Sequence, residues 1–596
     1  MSLLDQPHHD GSPLYVDDEA PGLGETVRVR MRSVAGDPID EVWLRTTYDA
    51  EPVYHPTARL ERDRVVWWEA GLPVRNPVTH YRFLVVRGEE QEWLTGAGVV
   101  SYDVPDAADF RLAAFPQAPD WARDGVVYQV FPDRFARSAA ADDRPTPEWA
   151  VPAAWEDEVV FEGTDPRTPL QLFGGDLDGI VEHLDHVEAT GADILYTTPV
   201  FPGESNHRYN ATTFTQVDPL LGGNDAYERL SGAVHARGWR ILGDLTTNHT
   251  GDTHEWFRAA HADPDDPHRS FYSFDADGSY ESWMGHHTLP KVNHADRNLR
   301  AAMVEGPDSI VGRWLQPPFD VDGWRIDVAN MTGRLGAVDV THEVARAVRR
   351  TAEALRADPL VIGEHNHDAT GDVDGDGWHG TMNYSGFSWP VWAWVRDPAS
   401  PARPFGRPVP VPRRTGGEVV DTIRAWHGAL GWRAVSSSWN ILGSHDSARI
   451  RTLVGGDAAV HRVAAGLQFT LPGVPMLFAG DEIGLEGVNG EDARRPMPWD
   501  DEDAWDLATL ATYGELAALR RGHVALRRGG LRWAHVDDDV IAFVREHPVE
   551  SVLVVARRTS APGVEIPGLT LGEHLLGTEP GHPDEVGPRL DVWTLG

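Results

Sequence analysis

The chain has no cysteine among its 596 residues, which excludes disulfides and thiolate metal centres. Lysine is almost missing as well. Lys291 is the only one, so nearly every basic side chain is an arginine. No apolar run approaches the roughly 20 residues that a membrane-spanning helix requires. The opening stretch MSLLDQPHHDG has neither a basic n-region nor an apolar h-region and does not read as a secretory signal. Together with the absent disulfides, this points to a cytoplasmic location. Positive charge is also short: 53 Lys and Arg face 92 Asp and Glu, a formal net charge of −39. Such a surface repels nucleic acid and anionic membranes and suits neutral or small-molecule partners. With so many acids, a single carboxylate carries no information. Only ordered constellations do.

What is present reads as a multidomain globular protein, since the length exceeds what one core supports. Residues 1–118 are rich in Val, Thr, Tyr and Trp. They break into short strands at Thr26–Arg32, Glu41–Thr46, Val65–Ala70 and His80–Arg87, a pattern that predicts a β-sandwich. Pro116, Pro119 and Asp120 mark a linker. From there to about residue 522, strands and helices alternate. Strands are predicted at Val126–Phe131, Asp193–Thr198, Arg240–Leu245, Trp324–Val328, Leu360–Gly363, Trp439–Leu442 and Pro475–Phe478. Helices are predicted at Asp178–Thr190, Ala226–Arg237, Val340–Arg356 and Ala458–Phe469. Repeated βα units over this length predict an α/β fold, a (β/α)8 barrel with insertions. The longest insertion spans about 246–295, and Ala399–Pro412 reads as a long loop. After residue 523 the chain returns to β, with alternating strands at Val540–Arg545 and Ser551–Ala556, and a second small sandwich is expected over 523–596.

Barrel enzymes carry their chemistry at the C-terminal ends of strands. Four predicted strand ends bear acids: Arg240-Ile-Leu-Gly-Asp244, Gly323-Trp-Arg-Ile-Asp327, Val361-Ile-Gly-Glu364 and Asn440-Ile-Leu-Gly-Ser-His-Asp446. Strand alternation puts Arg325 and Asp327 on one face and Ile326 on the other. An arginine beside Asp327 is expected to keep it ionised, as a nucleophile requires. Glu364 follows an apolar strand, where desolvation is expected to favour an acid catalyst. Two carboxyl groups in opposed roles are what glycoside cleavage uses. His249 and His445 lie beside these acids. Asp372, Asp374, Asp376 and Gly377 imitate half of an EF-hand loop, but Asn383 stands where its last ligand belongs, and the segment reads as a solvated turn.

The segments Asp244–His249, Gly323–Asn330, Gly363–Glu364 and Ser444–Asp446 resemble, in order, the four main motifs of the α-amylase family of glycoside hydrolases. Val130–Phe135, Gly174–Leu177, Ser205–Tyr209, Leu289–Asn293 and Gly480–Glu482 add to the resemblance, which covers about residues 120–520. It implies a retaining mechanism with Asp327 as nucleophile, Glu364 as acid/base and Asp446 as the carboxylate that stabilises the transition state. It also implies that Tyr209, His249, Arg325 and His445 grip the sugar and that Asp244 holds the site's hydrogen bonds. His207, Asn330 and Lys291 are further candidates for substrate contact. The LPKVN segment and Trp324–Asn330 resemble the neopullulanase, cyclomaltodextrinase and maltogenic amylase group, as does a β domain ahead of the barrel. That likeness implies action on short, branched or cyclic maltooligosaccharides and a homodimer formed through the N-terminal domain. Met331, His365 and Asn366 depart from the group's usual residues and leave the substrate open. A transglycosylase on the same fold and a non-catalytic glucan-binding protein are the alternatives. No cofactor is required. Many relatives hold calcium after the first barrel strand. Here Arg137 and Ala139 stand where ligands are usual, leaving Asp142, Asp143 and Asp176, so no calcium is expected at that place.

Overall fold

The computed structural model describes residues 3–596 except 63, 164, 405–406, 561–565 and 578–586. Its centre is a parallel barrel of eight strands: β1 (Val127–Val130), β2 (Ile194–Thr197), β3 (Arg240–Thr246), β4 (Gly323–Asp327), β5 (Leu360–Gly363), β6 (Gly380–Thr381), β7 (Trp439–Ile441) and β8 (Val474–Phe478). Consecutive strands from β1 to β6 pair side by side, β1 also pairs with β8, and β8 pairs with β7. A parallel bridge between Met382 and Trp439 closes the ring. β1, β2, β4 and β5 are buried along their whole lengths, because the lumen covers one face and helices the other. Close approach has a local cause at the start of β4. A Cβ on Gly323 would lie 1.9 Å from the carbonyl oxygen of Leu360, so only glycine lets β4 reach β5 there.

Two predicted elements differ in detail. The helix expected at Asp178–Thr190 is two short helices, Leu177–Glu182 and Leu184–Ala189, divided at His183. The His183 ring bonds the Gly179 carbonyl at 2.9 Å and packs 4.1 Å from the Trp499 ring, which holds the backbone out of the helical well. The sixth barrel strand has no counterpart among the predicted ones. It is only two residues long, too short for any alternation to register.

The N-terminal region forms two antiparallel sheets. Thr26–Val34, Val65–Pro73 and Ala58–Arg62 make the first. Glu51–Pro56, Glu41–Tyr48, Val78–Arg87, Glu90–Thr95, Gly98–Val100 and Phe110–Ala113 make the second. Val27, Val29, Met31, Leu44, Trp68, Leu72, Phe83 and Val85 fill one core between them, as expected of a sandwich. The C-terminal region shows a five-stranded antiparallel sheet among the described residues. One face, with Phe543, Val552, Val554 and Val592, joins the barrel core. The other packs Val540, Ala542, Val544, Val555 and Trp593 into a small cluster of its own.

The long insertion after β3 carries one α-helix, Glu255–Ala262, two short 3-10 helices, Pro267–Phe271 and Trp283–Gly285, and isolated bridges at Tyr272–Val292, Phe274–Tyr280 and Ser282–Pro290. With so little regular pairing, its order comes from aromatic packing: Phe257 lies 5.0 Å from Tyr272 and 4.7 Å from Tyr280 between ring centres. Among the described residues no helix is long and apolar enough to cross a membrane.

Candidate active site

The strand ends deliver their acids to one place, and Arg325 is the reason they stay together. It sits on β4 with its side chain wholly out of solvent. Its Nη1 donates to Asp244 Oδ1 at 3.0 Å, to Asp244 Oδ2 at 3.1 Å and to Asp327 Oδ1 at 2.9 Å. Its Nη2 lies 3.0 Å from Glu364 Oε2, an ion contact without hydrogen-bond alignment. Alternation along β4 does what the sequence implies: Arg325 and Asp327 share the lumen while Ile326 is buried among the helices.

Glu364 is also held by backbone. The Val328 N–H donates to its Oε2 at 2.8 Å. Val328 has φ of 40°, a region a β-branched residue rarely enters, so the turn after Asp327 is strained where it aims this N–H at Glu364.

A second chain of contacts runs from Asp244 to Asp446. Asp244 Oδ2 accepts from Tyr196 at 2.5 Å and from Tyr209 at 3.0 Å. The Tyr209 hydroxyl lies 2.7 Å from His445 Nε2, and the two rings stack at 5.5 Å with an interplanar angle of 9°. The Gln129 amide nitrogen meets His445 Nδ1 at 2.9 Å, while the Gln129 oxygen accepts from the His445 backbone N–H at 3.3 Å. This fixes Nδ1 as an acceptor and leaves the proton on Nε2, which lies 3.0 Å from Asp446 Oδ2. Arg494 donates to Asp446 Oδ1 at 3.1 Å and to the His445 carbonyl at 2.8 Å.

Burial sets the charge states. His445 is pushed well below the ordinary histidine range by burial and by Arg494 and Arg325. Burial pushes His207 and His249 down to about 3. Asp327 departs from the expectation that the arginine beside it lowers its carboxyl and keeps it ionised. Burial raises it well above the usual carboxylate range, Arg325 opposes this, and the carboxylates of Glu364 and Asp244 add to the rise. Asp244 is raised to about 6, again chiefly by burial and against Arg325. Three carboxylates around one guanidinium leave an excess of negative charge that solvent is poorly placed to screen.

Among the candidates from sequence, Tyr209, Asp244, Arg325, Asp327, Glu364, His445 and Asp446 therefore form one connected network. His207 joins its edge, its Nδ1 accepting from the Tyr209 N–H at 3.1 Å. His249 sits beside it with Nδ1 on Asn248 at 3.0 Å and its ring against the Tyr209 backbone. Lys291 is brought alongside His249 by a backbone bridge. Asn330 stands apart, its carbonyl accepting from Arg334. Gln129, Tyr196, Tyr384 and Arg494 were not singled out in the sequence. Tyr384 meets Ser444 Oγ at 3.1 Å and so braces the loop that carries Asp446.

The acidic repeat at 372–376 is not a solvated turn throughout. Asp372 is buried and bonds His365 Nε2 at 2.8 Å, because that ring follows Glu364 and needs an acceptor. Asp374 pairs with Arg111 at 3.1 Å and Asp376 with Arg346 at 2.8 Å. After β1, Arg137 donates to Asp142 Oδ1 at 3.0 and 2.6 Å and to the Phe173 carbonyl at 3.1 Å. Asp176 Oδ2 accepts from Arg144 at 2.6 Å and from Ser138 Oγ at 2.6 Å. Among the described residues no group of three or more His, Asp or Glu side chains is arranged to hold a metal ion.

A closed parallel barrel with acids gathered at the C-terminal ends of its strands is an arrangement that carboxylate-based glycoside cleavage can use. The α-amylase catalytic-domain model matches residues 129–513, and the chain belongs to the α-amylase family as a glycoside hydrolase. It is 31% identical over 581 residues to neopullulanase 2 of Thermoactinomyces vulgaris, covering 93% of this chain and 91% of that protein. It is 29% identical to a cyclomaltodextrinase of a Bacillus species, covering 90% and 93%. Among solved structures it is similar to the cyclic α-maltosyl-(1→6)-maltose hydrolase of Arthrobacter globiformis in complex with that sugar. The TM-score there is 0.65 at 30% identity, covering 75% of this chain and 93% of that one.

The buried histidines set an acid limit on stability. His9, His249, His254, His294 and His461 are all buried and lowered to about 3 or 4 by desolvation. Unfolded histidine titrates near 6.5, so between about pH 6.5 and pH 4 the unfolded chain binds more protons than the folded one. The stabilisation is complete above pH 6.5 and is lost as pH falls through this window, at about 1.4 kcal/mol per pH unit for each such proton. Thermal unfolding measured from about pH 7.5 down to pH 4.5 is expected to show Tm falling steadily below pH 6.5; a flat Tm down to pH 4.5 contradicts this account.

Proposed function

We propose that the protein cleaves α-1,4-glucosidic bonds, and α-1,6 bonds where they occur, in short, branched or cyclic maltooligosaccharides. Cyclodextrins, pullulan fragments and cyclic maltosyl-maltose are the substrates we favour. The observation that carries this reading is the joint hold of Arg325 on Asp244, Asp327 and Glu364. In the proposed mechanism Glu364 protonates the glycosidic oxygen while Asp327 attacks C1, breaking the bond to the leaving sugar and forming a glycosyl-enzyme. Glu364 then takes a proton from water as it attacks C1 and frees Asp327, with net retention of configuration. Asp446, held by His445 and Arg494, stabilises the positive charge that builds on the ring. Tyr209 and His445 offer stacked faces and hydroxyl or imidazole contacts to the sugar. His249 is assigned to the sugar beside them, and His207 and Lys291 to its periphery. The relatives named above support the substrate class.

Chromatography of products from maltotriose, pullulan, cyclodextrins and cyclic maltosyl-maltose, with NMR of the first-formed anomer, tests the reading. Release of α-anomers is expected, and inversion sinks it; growth of longer products at high substrate shows transfer in place of hydrolysis. Asp327→Asn is expected to lower kcat by on the order of 10³-fold or more with the fold intact. Near-normal turnover in that variant would mean that another residue is the nucleophile.

We further propose that the fold needs no calcium after β1. Arg137 and Arg144 already neutralise Asp142 and Asp176 through charge-assisted hydrogen bonds, leaving little oxygen for an ion that takes six to eight such ligands. Excess EDTA is expected to leave Tm unchanged. A drop of many degrees, with stoichiometric calcium found by elemental analysis, refutes it.

The N-terminal sandwich is proposed to form a homodimer. Strands Glu51–Pro56 and Ala58–Arg62 each lie at the edge of their sheet and are almost wholly exposed, with Val53, Tyr54 and Leu60 among their outward residues. Light scattering at micromolar concentration is expected to give twice the 65.7 kDa chain mass; a monomer there rejects the proposal.

A further inference from the structure

Away from the barrel mouth lies a cavity of about 330 Å³, within the range of small-molecule sites. Three units meet around it: the N-terminal sandwich, the barrel helix Gly416–Leu430 and the first strand of the C-terminal sheet. The seam is tight where backbones touch. A Cβ on Gly96 would lie 2.7 Å from Gly428 Cα, so two glycines set the distance between the sandwich and the helix. Trp432 and Trp533 form apolar walls, and Trp432 is fixed by its Nε1 donating to Glu19 at 2.6 Å.

The charges on the wall are unevenly satisfied. Arg532 is paired with Glu546 at 2.6 Å, and Arg111 with Asp374 at 3.1 Å. Asp10 accepts from the backbone N–H groups of Ser12 at 3.0 Å and Leu531 at 2.7 Å. Arg424 and His427, one turn apart on the same helix, have no hydrogen bond or ion pair from their side chains among the described residues. Two carboxylates share this wall: Asp421, exposed and one turn before Arg424 on the helix, acts on Arg424, and Asp10 acts on His427. Burial keeps the His427 ring neutral, lowering it to about 4, so it offers one N–H. A guanidinium and an imidazole that face the same partly enclosed space, with no protein acceptor hydrogen-bonded to either side chain among the described residues, are donors that an anionic ligand can use.

We propose that this cavity binds a small oxyanion, a phosphate or carboxylate borne on a hexose-sized body, with Arg424 pairing with the anionic group and His427 donating to it. The planar fork of Arg424 suits two oxygens of such a group at once. The two tryptophan walls supply the apolar contact that a sugar ring uses. None of the residues named here belongs to the carboxylate network, so the site is separate from the one that cleaves glucan. A ligand bound at a seam of three units stabilises the folded chain in proportion to its occupancy.

The test uses the whole enzyme at constant ionic strength, with thermal unfolding followed against glucose 1-phosphate, glucuronate, inorganic phosphate and, as the neutral control, glucose. A saturable rise in Tm with the anions, and none with glucose, is expected. Equal responses to inorganic phosphate and glucose 1-phosphate would assign the free ion; a stronger response to the sugar acids would assign the hexose-borne group. In Arg424→Met and in His427→Ala the affinity for the anions, measured by equilibrium dialysis, is expected to fall at least tenfold. This comparison also separates the cavity from any binding at the catalytic site, which both variants leave intact. No saturable response, an equal response to glucose, or undiminished anion affinity in folded Arg424→Met overturns the proposal.

Discussion

One buried arginine carries the architecture of the site. Arg325 has its side chain wholly out of solvent and touches the carboxylates of Asp244, Asp327 and Glu364, which arrive from three different strands. Remove the guanidinium and three negative charges are left facing one another in a desolvated space, an arrangement that proteins avoid by neutralising a carboxylate or by opening the structure. The barrel strands β3, β4 and β5 are thus tied at their C-terminal ends by charge as well as by their ladder. The strain at Val328 and the buried Tyr196 hydroxyl are tolerated because they serve this arrangement.

The same excess of negative charge explains why the site is ready for a cation-like sugar. One arginine does not balance three acids, so burial and mutual repulsion push Asp327 and Asp244 upward. A ring that gains positive charge as its glycosidic bond breaks relieves that repulsion. The surrounding histidines are kept neutral by burial and therefore do not cancel the field. His445 in particular spends its ring on a fixed relay from Gln129 to Asp446, with Tyr209 stacked upon it.

Much of this was legible in the sequence because strand ends speak for themselves. Asp244, Asp327 and Glu364 each close a short strand, Asp446 follows one after Gly443-Ser444-His445, and Arg325 lies two residues before Asp327 on a strand whose faces alternate. Residues that act only through a partner were silent. Gln129 and Tyr196 lie inside ordinary apolar strands, and Arg494 sits in an arginine-rich turn; only the fold shows that they meet His445, Asp244 and Asp446. The strand Gly380–Thr381 was silent for another reason, since two residues carry no period. Asp372 looked like part of a hydrated acidic turn because the sequence does not show that His365 folds back onto it.

The scarcity of lysine has a practical side. The one side-chain amine in the chain belongs to Lys291, in the segment bridged to His249 at the edge of the site. Coupling chemistry directed at side-chain amines, routine for immobilising enzymes or attaching dyes, therefore has its sole side-chain target beside the cleft. Surface attachment of this enzyme is better directed at carboxylates, which are abundant in the chain.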